Sequence, residues 1–257
     1  MLGPCPQCGQ FHNCPEGPEA CSVAAANSTE LQGPQISGDV EFMFYRAHIN
    51  DQVVGKLSET YEFTPRFILN FRNIVNLDGR LRYWHYARDT NVLGGGDVRF
   101  EFDVLDIEAV HYFEGRRSQV ALSGGLRLAN VQLTDPAGAR SDSYLLGLTM
   151  AADGLTRVLC IPGGYCGWVY GGRISILGGD WGGDDGSVFV NRRIYDDNVL
   201  VTELYAGIEV ARKCGGCTVR GRALYEMQNW RSDVLAQNAG IESISFIGPA
   251  AQIGVDF

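Results

Sequence analysis

Long apolar runs are missing from this sequence. Nowhere does it approach the ~18 consecutive apolar residues of a spanning helix, and its mean hydropathy is −0.07. That excludes a helical membrane protein. Lysine is nearly absent too: only Lys56 and Lys213 occur among 21 basic residues, so arginine carries the positive charge. A net charge of −9 and the lack of clustered cations disfavour nucleic acid as a partner, because phosphate contacts need a basic patch. Proline is sparse, with 9 residues against 33 glycines, and no Gly-X-Y period excuses the imbalance as collagen. The glycines therefore belong to turns or crowded strand faces. No Gly-x-Ser-x-Gly elbow occurs, and no serine can be matched to His12, His48, His85 or His111 as a hydrolase pair. The expectation is a protein that is not an enzyme and needs no cofactor. The start, Met1-Leu2-Gly3-Pro4-Cys5, lacks the basic and apolar regions of a secretory signal. For an exported protein this implies a start after cleavage, or a misassigned gene start.

What is present divides in two. Residues 1–37 form a leader without periodicity, poor in aromatics and rich in Gly, Pro, Asn and Ser. It is expected to be flexible, because it cannot bury enough apolar surface to offset its ordering entropy. Residues 38–257 change character: apolar residues recur with period two in segments of about ten, separated by turn-formers. In the clearest segment Tyr61, Phe63, Phe67, Leu69 and Phe71 share one face, while Glu62, Thr64, Arg66 and Asn70 share the other. The pattern repeats around Leu81, Phe102, Leu126, Ile174, Leu204 and Tyr225, is weaker at 143–151, and also covers 40–48 and 244–257. That makes about ten strands. Long gaps (48–61, 88–98, 132–143, 178–198, 230–244) alternate with short ones (71–77, 113–118, 211–217), and 151–167 is the exception. Two irregularities stand out. Phe100 and Phe102 oppose Arg99, Glu101 and Asp103, but Leu105, Ile107 and Ala109 then become the apolar set, so a β-bulge is expected near Val104-Leu105. Pro65 and Pro249 fall inside strand patterns and are expected at strand ends or bulges.

Alternation alone permits a soluble barrel with an apolar inside, or a membrane barrel with an apolar outside. Three features select the membrane. The apolar faces carry aromatics, among them Phe42, Phe44, Tyr61, Phe71, Tyr83, Phe102, Trp168, Tyr170 and Tyr225, several toward strand ends where interfacial girdles sit. The polar faces hold Arg with Glu and Asp but hardly any Lys, which suits a confined lumen of pairing guanidinium groups. The chain also ends as an alternating strand on Phe257, which looks like the recognition signal of the outer-membrane barrel assembly machinery. The expected fold is an antiparallel up-and-down transmembrane β-barrel of about ten strands in the bacterial outer membrane, with the lipid bilayer and that machinery as partners.

The candidate functional residues are the charges of the polar faces. They comprise Arg66, Arg80 and Arg82 early in the barrel; Arg99, Glu101, Asp106 and Glu108 in the fourth strand; and Arg127 and Arg173 beyond it. Later strands add Glu203 and Glu209, then Arg220, Arg222 and Glu226. Lining a lumen, such groups set ion selectivity in a pore; in a narrow barrel they cross-link into a plug. Cysteines lie outside the strand patterns. Cys214 and Cys217 flank a Gly-Gly turn, Cys160 and Cys166 flank another, and both pairs are disulfide candidates. Cys5, Cys8, Cys14 and Cys21, with His12, have zinc-like chemistry but lack the second Cys-x2-Cys of a zinc ribbon. An acidic loop around Asp180, Asp184 and Asp185 invites calcium but lacks the spacing of an EF-hand, so no metal is expected.

Several strings carry a family resemblance: Tyr83-Trp84-His85-Tyr86, Phe102-Asp103-Val104-Leu105-Asp106-Ile107-Glu108 and Leu122-Ser123-Gly124-Gly125-Leu126-Arg127. With Tyr170-Gly171-Gly172-Arg173 through Trp181, and Glu226-Met227-Gln228-Asn229-Trp230-Arg231, the chain resembles the pore-forming barrels related to the Legionella major outer membrane protein, in planctomycete form. The resemblance implies a porin-like passage for ions and small hydrophilic solutes. The alternative is a closed structural or adhesion barrel whose external loops meet a partner.

Overall fold

The computed structural model describes residues 35–51, 61–74, 77–91, 97–134, 137–183, 194–232 and 241–257. They form ten strands: β1 (Gln35–Asp51), β2 (Glu62–Ile74), β3 (Leu77–Asn91), β4 (Asp97–Glu114), β5 (Ser118–Thr134), β6 (Arg140–Ile161), β7 (Gly164–Gly183), β8 (Ile194–Cys214), β9 (Cys217–Ser232) and β10 (Ile241–Asp256). Each pairs antiparallel with its neighbour in sequence, and β1 closes on β10, so the sheet is an up-and-down barrel without a free edge. Closure pairs each strand along both edges, as backbone in hydrocarbon requires.

Long and short connections fall at opposite rims. The turn rim carries 162–163 and 215–216, where Gly163 and Gly215 have φ of 72° and 63°. That left-handed backbone matches the strand twist in two-residue hairpins and favours glycine. Both ends of the described chain lie at this rim, since Ser37 pairs with Asp256. The long connections lie at the other, the loop rim. The expected exception at 151–167 disappears: β6 and β7 run on to Ile161 and Gly164, leaving a two-residue turn.

Two expectations are corrected. No bulge interrupts β4, whose pairing with β5 is continuous from Arg99–Thr134 to Glu114–Gln119. Pro65 and Pro249 lie within strands, not at their ends. Each nevertheless sits where a ladder stops. Pairing of β2 with β3 begins only at Arg66, and pairing of β10 with β1 skips from Ala250 to Ile247. A residue without an N–H is tolerated at such a gap.

Candidate functional site

Along the barrel axis the inside of the wall changes twice. At the loop-rim end large aromatic side chains dominate the inward positions, among buried polar groups such as Ser141, Asp197 and Gln228. Tyr45 on β1, Trp84 and Tyr86 on β3, Phe102 on β4, Trp230 on β9 and Phe246 on β10 meet across the lumen. Ring centroids are 4.8 Å apart for Tyr86–Phe246, 5.1 Å for Phe102–Phe246 and 5.4 Å for Phe102–Trp230, at edge-to-face angles. Trp181 completes this layer from β7 and donates to Asp197, which also accepts from Ser232. Each of these rings is at most 4% exposed. The layer is a seal.

Beneath it lies an ionic layer at mid-barrel. Arg127 gives Nε to Asp106 at 2.6 Å and Nη2 to Glu203 at 2.5 Å. Arg82 reaches Glu203 at 2.7 Å and Asp106 at 3.3 Å, while Arg66 bridges Glu226 at 2.8 Å and Glu41 at 3.0 Å. Arg173 pairs with Glu108 and approaches Asp106 at 3.7 Å. These side chains are at most 6% exposed, so the cross-links fill the bore. Toward the turn rim the bore widens into a cavity of about 320 Å³ floored by this layer. Its walls hold Arg80 on Asp153 (2.7 Å), Arg220 on Asp39 (3.0 Å) and Arg222 on Glu209 (2.5 Å).

The outside is the complement. Apolar side chains cover the wall over 120–128 of β5 and 200–210 of β8, among them Leu122, Leu126, Leu128, Leu204 and Ile208. That length matches the roughly 9–11 residues with which a strand crosses a hydrocarbon core. Above this band, toward the loop rim, outward positions turn polar on several strands, at His85, Asp103, Asn130, Gln132, Asp142 and Asn229, while Phe44 and Phe63 keep the outer wall aromatic on β1 and β2. The polar collar sits at the height of the aromatic seal, since Asp103 neighbours Phe102 and Asn130 neighbours Val131. Near the turn rim the barrel has membrane polarity; toward the loop rim that polarity reverses over part of the circumference, on β3, β4 and β5 most clearly.

This reversal explains the parity slip on β4. Phe100, Phe102, Val104, Asp106, Glu108 and Val110 all point inward on one uninterrupted strand. Chemistry changes along the face; the face does not change. Consequently Phe102 is not part of the outer apolar surface, and Arg99 and Glu101 are not lumen residues. Those two point outward and pair with each other at 2.6 Å on the collar. The remaining sequence candidates face the lumen: Arg66, Arg82, Asp106, Glu108, Arg127, Arg173, Glu203 and Glu226 form the ionic layer, and Arg80, Glu209, Arg220 and Arg222 line the cavity. Sequence reasoning passed over the seal, although Trp84 and Tyr86 share the parity of Arg80 and Arg82. It also passed over Asp39 and Glu41, two acids on one face of the first strand, and Asp153.

The expected turn disulfides are not formed: Cys166, Cys214 and Cys217 are free thiols. Cys217 instead donates to the Cys214 carbonyl at 3.2 Å. Cys166 pairs across the ladder with Leu159 and Cys160 with Tyr165, so the two cysteines occupy opposite faces of the sheet. The leader cysteines and His12, like Asp184 and Asp185, lie outside the described residues. Among the described residues no cluster of His, Cys, Asp or Glu could hold a metal ion.

No family model and no curated protein matches this chain. Similar solved structures include the translocator domain of the autotransporter NalP from Neisseria meningitidis, at 10% identity and a TM-score of 0.44, covering 92% of each chain. The beta domain of the Bordetella autotransporter BrkA is 12% identical with a TM-score of 0.43, covering 88% of this chain and 98% of that one. The CymD monoaromatic hydrocarbon channel is 9% identical with a TM-score of 0.29, covering 94% and 92%. At these distances none assigns a family or an activity.

Proposed function

We propose that this chain is a bacterial outer-membrane barrel closed to solutes, which holds its long connections at the external surface for a partner. The observation that carries this reading is the dry bore. A water path must wet the side chains along it, yet the ionic layer and the aromatic seal are stacked in series and both are buried. Ten strands leave little width beyond what side chains fill. The diffusion pore implied by the resemblance to the Legionella-type barrels would need both layers to part. The apolar band supports residence in a bilayer, because exposing that many large apolar side chains to water would drive aggregation. Covalent chemistry is no part of the proposal: His85 points outward and is engaged by Asp103 at 2.8 Å.

Planar-bilayer recording tests closure. The purified chain should insert and give no discrete conductance steps across many insertions, while migrating differently on a denaturing gel before and after boiling. Reproducible ohmic steps would restore the pore, and solubility in plain buffer would remove the membrane.

A further inference from the structure

The cavity between the ionic layer and the turn rim ends blindly at its floor, and its volume is near the lower bound of small-molecule sites. Most cations on its wall are already committed. Arg80 is held by Asp153, Arg222 by Glu209, and Arg220 by Asp39 and by Asp256 at 2.9 Å. Two are not. Arg72 stands over the Tyr112 ring at 3.9 Å, and Arg157 over the Tyr165 ring at 5.1 Å. Neither has a carboxylate within salt-bridge reach among the described residues, and both line the cavity. An arginine held over a ring rather than on a carboxylate keeps its N–H donors available, in the fork geometry that matches a carboxylate or phosphate. Tyr165 is itself anchored by its hydroxyl on Glu209 at 2.5 Å, so its platform is fixed.

We infer that this cavity binds the oxyanion, phosphate or carboxylate, of a small polar molecule entering from the turn rim, with Arg72 and Arg157 as its ligands. Of the acids near the mouth, Asp256 shares Arg220 with Asp39, and Glu114 accepts from Gln119 at 3.3 Å while keeping its charge. Low-dielectric walls focus the field of the two free guanidinium groups. The site needs the cavity and its mouth, not the seal, so it stands or falls independently of the bilayer recordings.

Titration calorimetry with inorganic phosphate, on the full chain in neutral detergent, tests the site. The parent should bind saturably. The double variant Arg72→Gln/Arg157→Gln should bind about tenfold more weakly or not at all, as expected for losing charge-assisted bonds. Arg99→Gln, on the outer collar, should bind like the parent. If the double variant fails to refold, Arg72→Lys and Arg157→Lys keep the charge but lose the planar fork, and should weaken binding several-fold. No saturable binding by the parent, or undiminished affinity in these variants, overturns the assignment. Repeating the titration in nanodiscs identifies the source. Weaker phosphate binding when anionic phospholipid is present means that headgroup phosphates occupy the site; unchanged binding means a free solute, and either result supports it.

Discussion

At the scale of single residues, Arg127 is the most demanding side chain in the molecule. It is fully buried and holds two carboxylates, from Asp106 on the neighbouring strand and Glu203 across the bore. A buried pair contributes little net stability once desolvation is counted, but removing one partner strands the other's charge. Arg127→Met should therefore cost about 3–5 kcal/mol, read as a lower denaturant midpoint for unfolding from detergent. The cysteines invite a simpler measurement. Exposed Cys214, a free thiol at the turn rim, should react with a membrane-impermeant maleimide in the folded barrel without prior reduction. A requirement for reductant would mean that a disulfide forms there after all.

At the scale of elements, several strands carry two environments in series. β5 shows this most clearly: Leu122, Leu126 and Leu128 face outward below, Asn130 and Gln132 face outward above, and inside the order is Ser123, Arg127, Ala129, Val131. A strand alternates faces at every residue, so each face can change polarity partway along, independently of the other. The boundary is testable on this one strand. Leu126→Arg should cost about 2–4 kcal/mol of folding stability in lipid vesicles, as a cation near the midplane does, whereas Gln132→Arg should stay within about 0.5 kcal/mol of the parent. Equal effects would place the collar in lipid.

At the scale of the whole molecule, closure and insertion are separate matters. The barrel seam joins β1 to β10, and Phe257 follows it, 74% exposed, with its backbone N–H on the Ile36 carbonyl at 3.2 Å. Nothing inside the bore leans on that ring. Phe257→Asp should therefore leave the stability of the refolded barrel nearly unchanged, while lowering the yield at the cell surface if the terminal aromatic is read by the assembly machinery. Equal surface yields of parent and variant would remove that role.

Much of this architecture is local, and local features are legible in a sequence. Period-two alternation is a property of the strand itself, so the ten strands, their inward arginines and glutamates, and the two kinds of connection could be read from residues such as Phe67 beside Arg66. What lay beyond reach depends on height along the barrel axis, which is measured across the bore rather than along the chain. Phe102 and Asp106 share one face of one strand, yet Phe102 meets Phe246 and Trp230 while Asp106 meets Arg127 and Arg82. Without those partners the change of chemistry between them reads as a slipped register, and Arg99 and Glu101 read as lumen charges. Only the closed barrel brings residues some 160 positions apart, Arg66 and Glu226, to 2.8 Å. Whether inward charges line a channel or lock together to block it is decided by that cross-bore distance, which depends on the tertiary structure.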